Sequence, residues 1–188
     1  YVIERVLGNG GFGITYLGHD EKLDMRVAVK EYFPNGLSTR NTQVTPQIIP
    51  NQADETLYEQ GKSRFLKEAR ILAKLSDEEG IVGVHDFFEE NNTCYIVMEY
   101  IQGISLSEYL RQNGPVSVEK MLELLTPVMH SLTNVHKAGL VHRDISPGNI
   151  MITEKGQVKL LDFGAARDIS KETDETAVSY THLTLPTT

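Results

Sequence analysis

Cysteine occurs once in the 188 residues, at position 94. A lone thiol excludes an internal disulfide framework and agrees with a reducing compartment. Cys94 lies in the run C-Y-I-V-M, which reads as a buried strand position rather than a reactive one. No apolar run approaches the ~20 residues that a membrane-spanning helix needs, and no signal peptide opens the chain. Basic residues are the minority, 18 against 26 acidic ones for a net charge of −8. They form no block or stripe, which argues against a nucleic-acid footprint. An initiator methionine is also lacking. The chain opens at Tyr1, already inside what reads as a strand, so a fragment is expected, and membrane segments beyond it stay open. With 40% apolar residues the chain can bury one sizeable core or two small ones.

What is present centres on Val141 to Gly164, V-H-R-D-I-S-P-G-N-I-M-I-T-E-K-G-Q-V-K-L-L-D-F-G. Asp144 is a carboxylate able to accept a proton from an attacking hydroxyl. Asn149 and Asp162, five and eighteen residues on, carry oxygens of the kind that ligate magnesium. Near the N-terminus, Gly8, Gly10 and Gly13 have G-x-G-x-x-G spacing after a β-branched run. Glycines there let backbone N–H groups approach phosphate oxygens without Cβ atoms in the way. The same spacing marks dinucleotide-binding folds, but those run on into a helix. Ile14-Thr15-Tyr16-Leu17 reads instead as a strand, so a hairpin roofing a nucleotide is expected. The strand V-A-V-K follows and ends in Lys30, a position that is ordinarily a snorkelling surface residue.

Residues 31–54 carry Pro34, Pro46 and Pro50 and show no sustained helical or strand period, so a long functional insert is expected. From Glu55 to Leu75 the period becomes helical. Phe65, Leu66, Ala69, Leu72, Ala73 and Leu75 share one face, with Glu68 beside it. Two apolar runs, Ile81–Phe88 and Thr93–Ile101, flank the turn Glu89-Glu90-Asn91-Asn92 and predict an antiparallel hairpin. A short helix is expected from Ser105 to Gln112, with Ser105 and Glu108 at capping-box spacing. A longer one covers Ser117–Lys137, its apolar face drawn from Met121, Leu122, Leu125, Val128, Met129, Leu132 and Val135, with Gly139 as its stop. Pro127 within it predicts a local kink. His130 and His136 have no partner at metal-ligand spacing and read as structural.

H-R-D-x-x-x-x-N followed by D-F-G resembles the catalytic and metal-binding loops of protein kinases, and the earlier motifs fall in the order that family requires. The resemblance covers Tyr1 to about Ala177. It implies an α+β, two-lobed fold with a complete antiparallel-sheet N-lobe carrying one helix, and a truncated helical C-lobe. The lobes would span residues 1–101 and 102–178, with 179–188 a non-native or disordered tail. It further implies ATP- and Mg2+-dependent phosphorylation of protein serine or threonine, a protein partner, and a cytoplasmic kinase domain.

By the same resemblance Asp144 is the catalytic base, and Lys30 pairs with the α- and β-phosphates while held by Glu68. Asn149 and Asp162 hold Mg2+, and Arg143 receives a phosphate from the activation segment. The resemblance places ATP against Gly8, Gly10, Gly13, Thr15, Ala28, Met98, the backbone of Glu99 to Ile101, and Met151. His142 and Phe163 are expected beneath the site, stacked with Leu72 and Val84. Ser170, Thr173 and Thr176 are the phosphosite candidates. The opening K-E-Y-F-P-N-G-L of the insert resembles one found in a bacterial subgroup of serine/threonine kinases.

Two departures bear on function. Ser146 stands where serine/threonine kinases usually carry a lysine toward the γ-phosphate, although Pro147 of that class is kept. Thr15 replaces the usual valine over the adenine, and its methyl group serves the same packing. No A-P-E follows the D-F-G segment. The alternatives from other classes are a pseudokinase acting as a nucleotide-binding scaffold, and a small-molecule phosphotransferase of the aminoglycoside or choline type. Lys30, Glu68, Asp144, Asn149 and Asp162 together weigh against the first, and H-R-D with D-F-G against the second.

Overall fold

The structure is a computed structural model that describes residues 1–41, 46–76, 78–163 and the backbone of 167 and 168. A five-stranded antiparallel sheet builds the N-terminal lobe. Its strands are β1 (Val2–Asn9), β2 (Gly13–Asp20), β3 (Met25–Tyr32), β6 (Val84–Glu90) and β7 (Thr93–Glu99), in the order β1-β2-β3-β7-β6. Turn chemistry sets the register. Between β2 and β3 the Asp20 carboxylate accepts the N–H groups of Lys22 and Leu23, and Asp24 sits at φ 51°. Between β6 and β7, Asn91 and Asn92 both have positive φ, 53° and 58°, which two-residue hairpins require and Asn tolerates.

Helix α1 (Glu55–Lys74) lies on one face of this sheet and buries Tyr58, Phe65, Glu68, Ala69 and Leu72. Tyr32, Ile48, Cys94 and Ile96 meet it there. Cys94 is fully buried, and burial pushes its thiol up to about 12, so it is an inert core residue. Val27, Val29 and Val97 form a second cluster on the opposite face, with Tyr16, Phe88 and Tyr95 against it.

The expected shapeless insert is not shapeless. Strand β3 runs on to Tyr32, and β4 (Ser38–Asn41) pairs antiparallel with β5 (Gln47–Pro50). The hairpin is anchored by Ile48, which is fully buried and whose backbone bonds Asn91 and Asn92. Two four-residue strands, the second ending on Pro50, are too short to show a period, which is why the pattern is invisible in the sequence.

The second lobe contains α2 (Leu106–Asn113) and α3 (Val118–Lys137), with strand β8 (Gly103–Ser105) before them. After α3 come β9 (Leu140–Val141), β10 (Ile150–Thr153), β11 (Val158–Leu160) and β12 (Arg167–Asp168). β8, β10 and β11 make a small sheet, and β9 pairs with β12. The expected capping box at α2 is half formed. Ser105 accepts the Glu108 N–H, but the Glu108 side chain turns to Arg111 and Gln112 instead of back to the cap.

On α3 the buried positions are Leu124, Val128, Ser131 and Val135, so the expected apolar face is rotated. Leu122 and Met129, both assigned to the core by periodicity, are about half exposed at 53% and 47%. The rotation follows from Ser131, whose Oγ accepts the Gly80 N–H at 3.1 Å and so occupies a core position. Among the described residues no helix is long and apolar enough to cross a membrane. Residues 169–188 lie outside the described residues.

Candidate active site

Lys30 is the hub of the site. Strand alternation on β3 points Ala28 and Lys30 to the same face, and Thr15 of β2 pairs directly with Lys30. The Lys30 Nζ lies 2.7 Å from Asp162 Oδ1 and 3.3 Å from Glu68 Oε1, with the lysine and Glu68 side chains only 13% and 7% exposed. Burial alone would push the lysine down, yet the carboxylates of Glu68 and Asp162 outweigh it and raise its pKa. Burial likewise raises Glu68, against the opposing pull of Lys30. Lys30 is thus a fixed cation between a helix and the loop that follows β11.

The residues of the loop after β9 are held by His142. His142 is fully buried, and its Nε2 lies 3.0 Å from the Leu161 carbonyl while its Nδ1 lies 3.2 Å from the Asp144 nitrogen. A carbonyl can only accept and a backbone N–H can only donate, so Nε2 carries the proton and Nδ1 is the acceptor. Its ring meets Phe163 edge-on at 4.4 Å, and Phe163 belongs to the core of Leu72 with Val84 packed against it. One residue on, Arg143 is exposed at φ 67°. Asp162 has φ 58°. Among the described residues these are the non-glycine positive-φ positions outside hairpin turns, and such strain concentrates where function fixes a side chain.

Asp144 is exposed and is gripped by Asn149, whose Nδ2 donates to its main-chain and carboxylate oxygens, both at 2.9 Å. Asn149 ends a short 3-10 turn and its carbonyl accepts the Leu161 N–H at 2.7 Å, which ties this loop to the segment after β11 that carries Asp162. With the Asn149 amide nitrogen engaged, its Oδ1 is the atom left to ligate a metal. Asn149 and Asp162 form a small hard-oxygen set of the type that Mg2+ uses together with nucleotide phosphates, and the residues fit that ion.

A cavity of about 540 Å³ opens beside Lys30. Of the residues expected around ATP, Gly8, Thr15, Ala28, Lys30, Met98, Glu99, Ile101 and Met151 line it, as do Asn149 and Asp162. Apolar walls with a cation and two oxygen ligands at one end fit a purine nucleotide. Gly10 and Gly13 border a second cavity of about 510 Å³ toward α1, which shares Thr15, Lys30, Glu68 and Asp162 with the first. Asp144 and Arg143 border neither cavity, and Ser170, Thr173 and Thr176 lie outside the described residues.

The glycines divide by cause. A Cβ at Gly8 would meet nothing within 4 Å, whereas at Gly13 it would fall 2.1 Å from the Glu31 carbonyl oxygen. Gly13 is therefore required by the packing of β2 on β3, and only the earlier glycines keep a ligand-directed explanation. Sequence reasoning missed Val82, which lines the cavity from the irregular segment before β6. It also missed the Glu99 side chain, which accepts the Gly83 N–H at 2.7 Å and meets Lys159 Nζ at 2.5 Å. No spacing rule could have found either.

The chain matches the family described as protein kinase domain over residues 1–184. It is 35% identical to Serine/threonine-protein kinase PrkC of Bacillus subtilis over 173 residues, 92% of this chain and 24% of that protein. It is also 35% identical over 192 residues to Serine/threonine-protein kinase PknA of Mycobacterium tuberculosis, covering all of this chain and 39% of that one. A solved structure, "PpkA-294 apo form", superposes with a TM-score of 0.78 at 34% identity, over 86% of this chain and 57% of that one. The chain belongs to the protein kinase family and has its fold. It spans about a quarter to two fifths of the length of these curated relatives.

Proposed function

We propose that the protein transfers the γ-phosphoryl group of ATP, with Mg2+, to serine or threonine hydroxyls of proteins. The observation that carries this reading is the convergence of Lys30, Glu68 and Asp162 on one cavity with Asn149, which in turn grips Asp144. Lys30 neutralises the α- and β-phosphates. Asp144 orients the substrate hydroxyl and takes its proton as the new O–P bond forms and the bond to the β-phosphate oxygen breaks. Asn149 and Asp162 would hold the metal, which supplies charge neutralisation for the phosphates. The adenine lies between Ala28 and Met151. The Glu99 N–H already donates to Gly83, so base contacts fall to the Glu99 carbonyl and the Ile101 backbone. Residues 1–101 act as the nucleotide lobe and 102–178 as the catalytic lobe.

Arg143 is exposed, and in this reading it receives a phosphorylated residue of the segment holding Ser170, Thr173 and Thr176, so phosphopeptide mapping of the active protein should find the modification there. Incubating the full protein with γ-labelled ATP, beside Asp144→Asn, tests the transfer itself. Label in the wild type and its loss in the variant are expected. Equal signal from both ends the assignment. Nucleotide binding without transfer would favour the scaffold reading, to which Ser146 in place of the usual lysine lends the only support.

A further inference from the structure

The tip of the glycine-rich turn is fastened to the insert. Phe33 donates its backbone N–H to the Phe12 carbonyl at 3.2 Å, and Asn35 donates its own to Gly11 at 3.1 Å. The Asn35 side-chain amide reaches the Gly10 carbonyl at 3.4 Å. These bonds continue the β2–β3 ladder past its last pair, Gly13 with Tyr32. A glycine-rich turn without them would have large conformational freedom to lose when it closes over phosphates.

The fastening point is itself held on three sides. Residues 34–37 form a turn in which the Leu37 N–H meets the Pro34 carbonyl, and Gly36 takes φ 77°. Asn51, beyond the β4–β5 hairpin, bonds the carbonyls of Gly36 and Leu37 from behind at 2.6 and 2.9 Å. On the outer sheet face, Arg40 of β4 pairs with the buried carboxylate of Glu31, which Tyr16 and Tyr95 also bond at 2.7 and 2.9 Å. On the inner face, Tyr32 donates to the Tyr58 carbonyl of α1, and its ring packs tilted against those of Tyr58 and Phe65. The insert is a bracket running from the sheet and α1 to the turn tip.

We propose that Asn35 is a positioning residue for nucleotide binding: it holds the Gly10–Gly13 tip in its roofing conformation before nucleotide arrives. The bracket removes part of the ordering entropy from the binding step. This rests on the kinase reading for its effect on ATP, whereas the restraint on the turn can be measured without it.

Asn35→Pro is the discriminating variant. Proline suits the second position of a turn whose third residue has positive φ, so the turn is kept while both donors that Asn35 supplies to the glycine tip are lost and the Phe33 bond to Phe12 stays. Two lost bonds predict a KM for ATP raised about three- to tenfold with kcat within about twofold. Amide exchange at Gly10–Gly13 in the nucleotide-free full protein should quicken by a similar factor, with the melting temperature kept. Asn35→Ala retains the main-chain donor, is the milder substitution for folding, and should fall between the two.

Folded Asn35→Pro protein with unchanged exchange and unchanged KM overturns the proposal. So does faster exchange throughout the molecule with KM and kcat failing together, which marks a merely structural residue. If the wild type transfers no phosphate, the kinase reading fails while the exchange measurement still decides the restraint.

Discussion

One amide nitrogen, Nδ2 of Asn149, holds both the main chain and the carboxylate of Asp144, at 2.9 Å each. The residue assigned to the metal therefore also aims the residue assigned as base. Asn149→Ala should lower kcat by about a hundredfold or more, the scale of loss when a reacting group is misplaced by an ångström. Raising Mg2+ should recover metal occupancy without recovering kcat, because the aim of Asp144 is not restored. Steady-state kinetics across a Mg2+ titration would check this; full rescue by metal would show that the grip on Asp144 is idle.

Gly61 sits in the interior of α1, where glycine costs about 1 kcal/mol relative to alanine. A Cβ there would fall 2.0 Å from the Tyr32 hydroxyl and 2.9 Å from its ring carbon Cζ. Tyr32 is 3% exposed, wedged between Tyr58 and Phe65, and cannot swing aside. Overpacking of this kind costs about 1–3 kcal/mol, which outweighs the gain in helix propensity. Gly61→Ala should therefore lower stability in a denaturant melt, and a rise would show that the Tyr32 pocket yields.

The Glu31 carboxylate is 2% exposed and is met by Arg40, Tyr16 and Tyr95. Removing one partner of a buried ion pair costs about 3–5 kcal/mol because the other charge is left uncompensated. Arg40→Met should sit near the lower end, about 3 kcal/mol, since both tyrosine hydroxyls still donate to Glu31. Chemical denaturation measures it. The double variant Arg40→Met with Glu31→Gln should recover part of the loss, and no recovery would count against the pair as its origin.

These residues show which parts of the fold were legible in advance. Asp144, Asn149, Asp162, Lys30 and Glu68 were picked out by motif spacing, and the structure places Lys30 against Glu68 from 38 residues away. The Asn91-Asn92 hairpin was legible because few residues accept its backbone angles. The Glu31–Arg40 pair was not, since nothing in a polar, proline-bearing stretch marks one charge as buried. The face of α3 was misread for a related reason: Ser131 takes a core position through a hydrogen bond to Gly80, which a hydrophobic pattern cannot register. Glu68 shows the converse, a buried charge found only because a lysine elsewhere called for it.

His142 links the two loops of the site and should make their stability depend on pH. Burial depresses its pKa below the ordinary histidine value. The folded protein thus keeps the ring neutral at a pH where the unfolded chain, with a pKa near 6.5, already binds a proton. Its contribution to stability is complete above about 6.5 and falls as pH drops from there through the folded value, with a slope of at most about 1.4 kcal/mol per pH unit. Protonation would also turn Nδ1 from an acceptor into a donor facing the Asp144 N–H at 3.2 Å, so the same step should loosen the catalytic loop. His142→Gln should be less stable than wild type at pH 7 but lack that component of the slope below about pH 6.5. Denaturation curves at a series of pH values, compared between the two proteins, would test it. Parallel profiles would show that His142 is not the group being titrated.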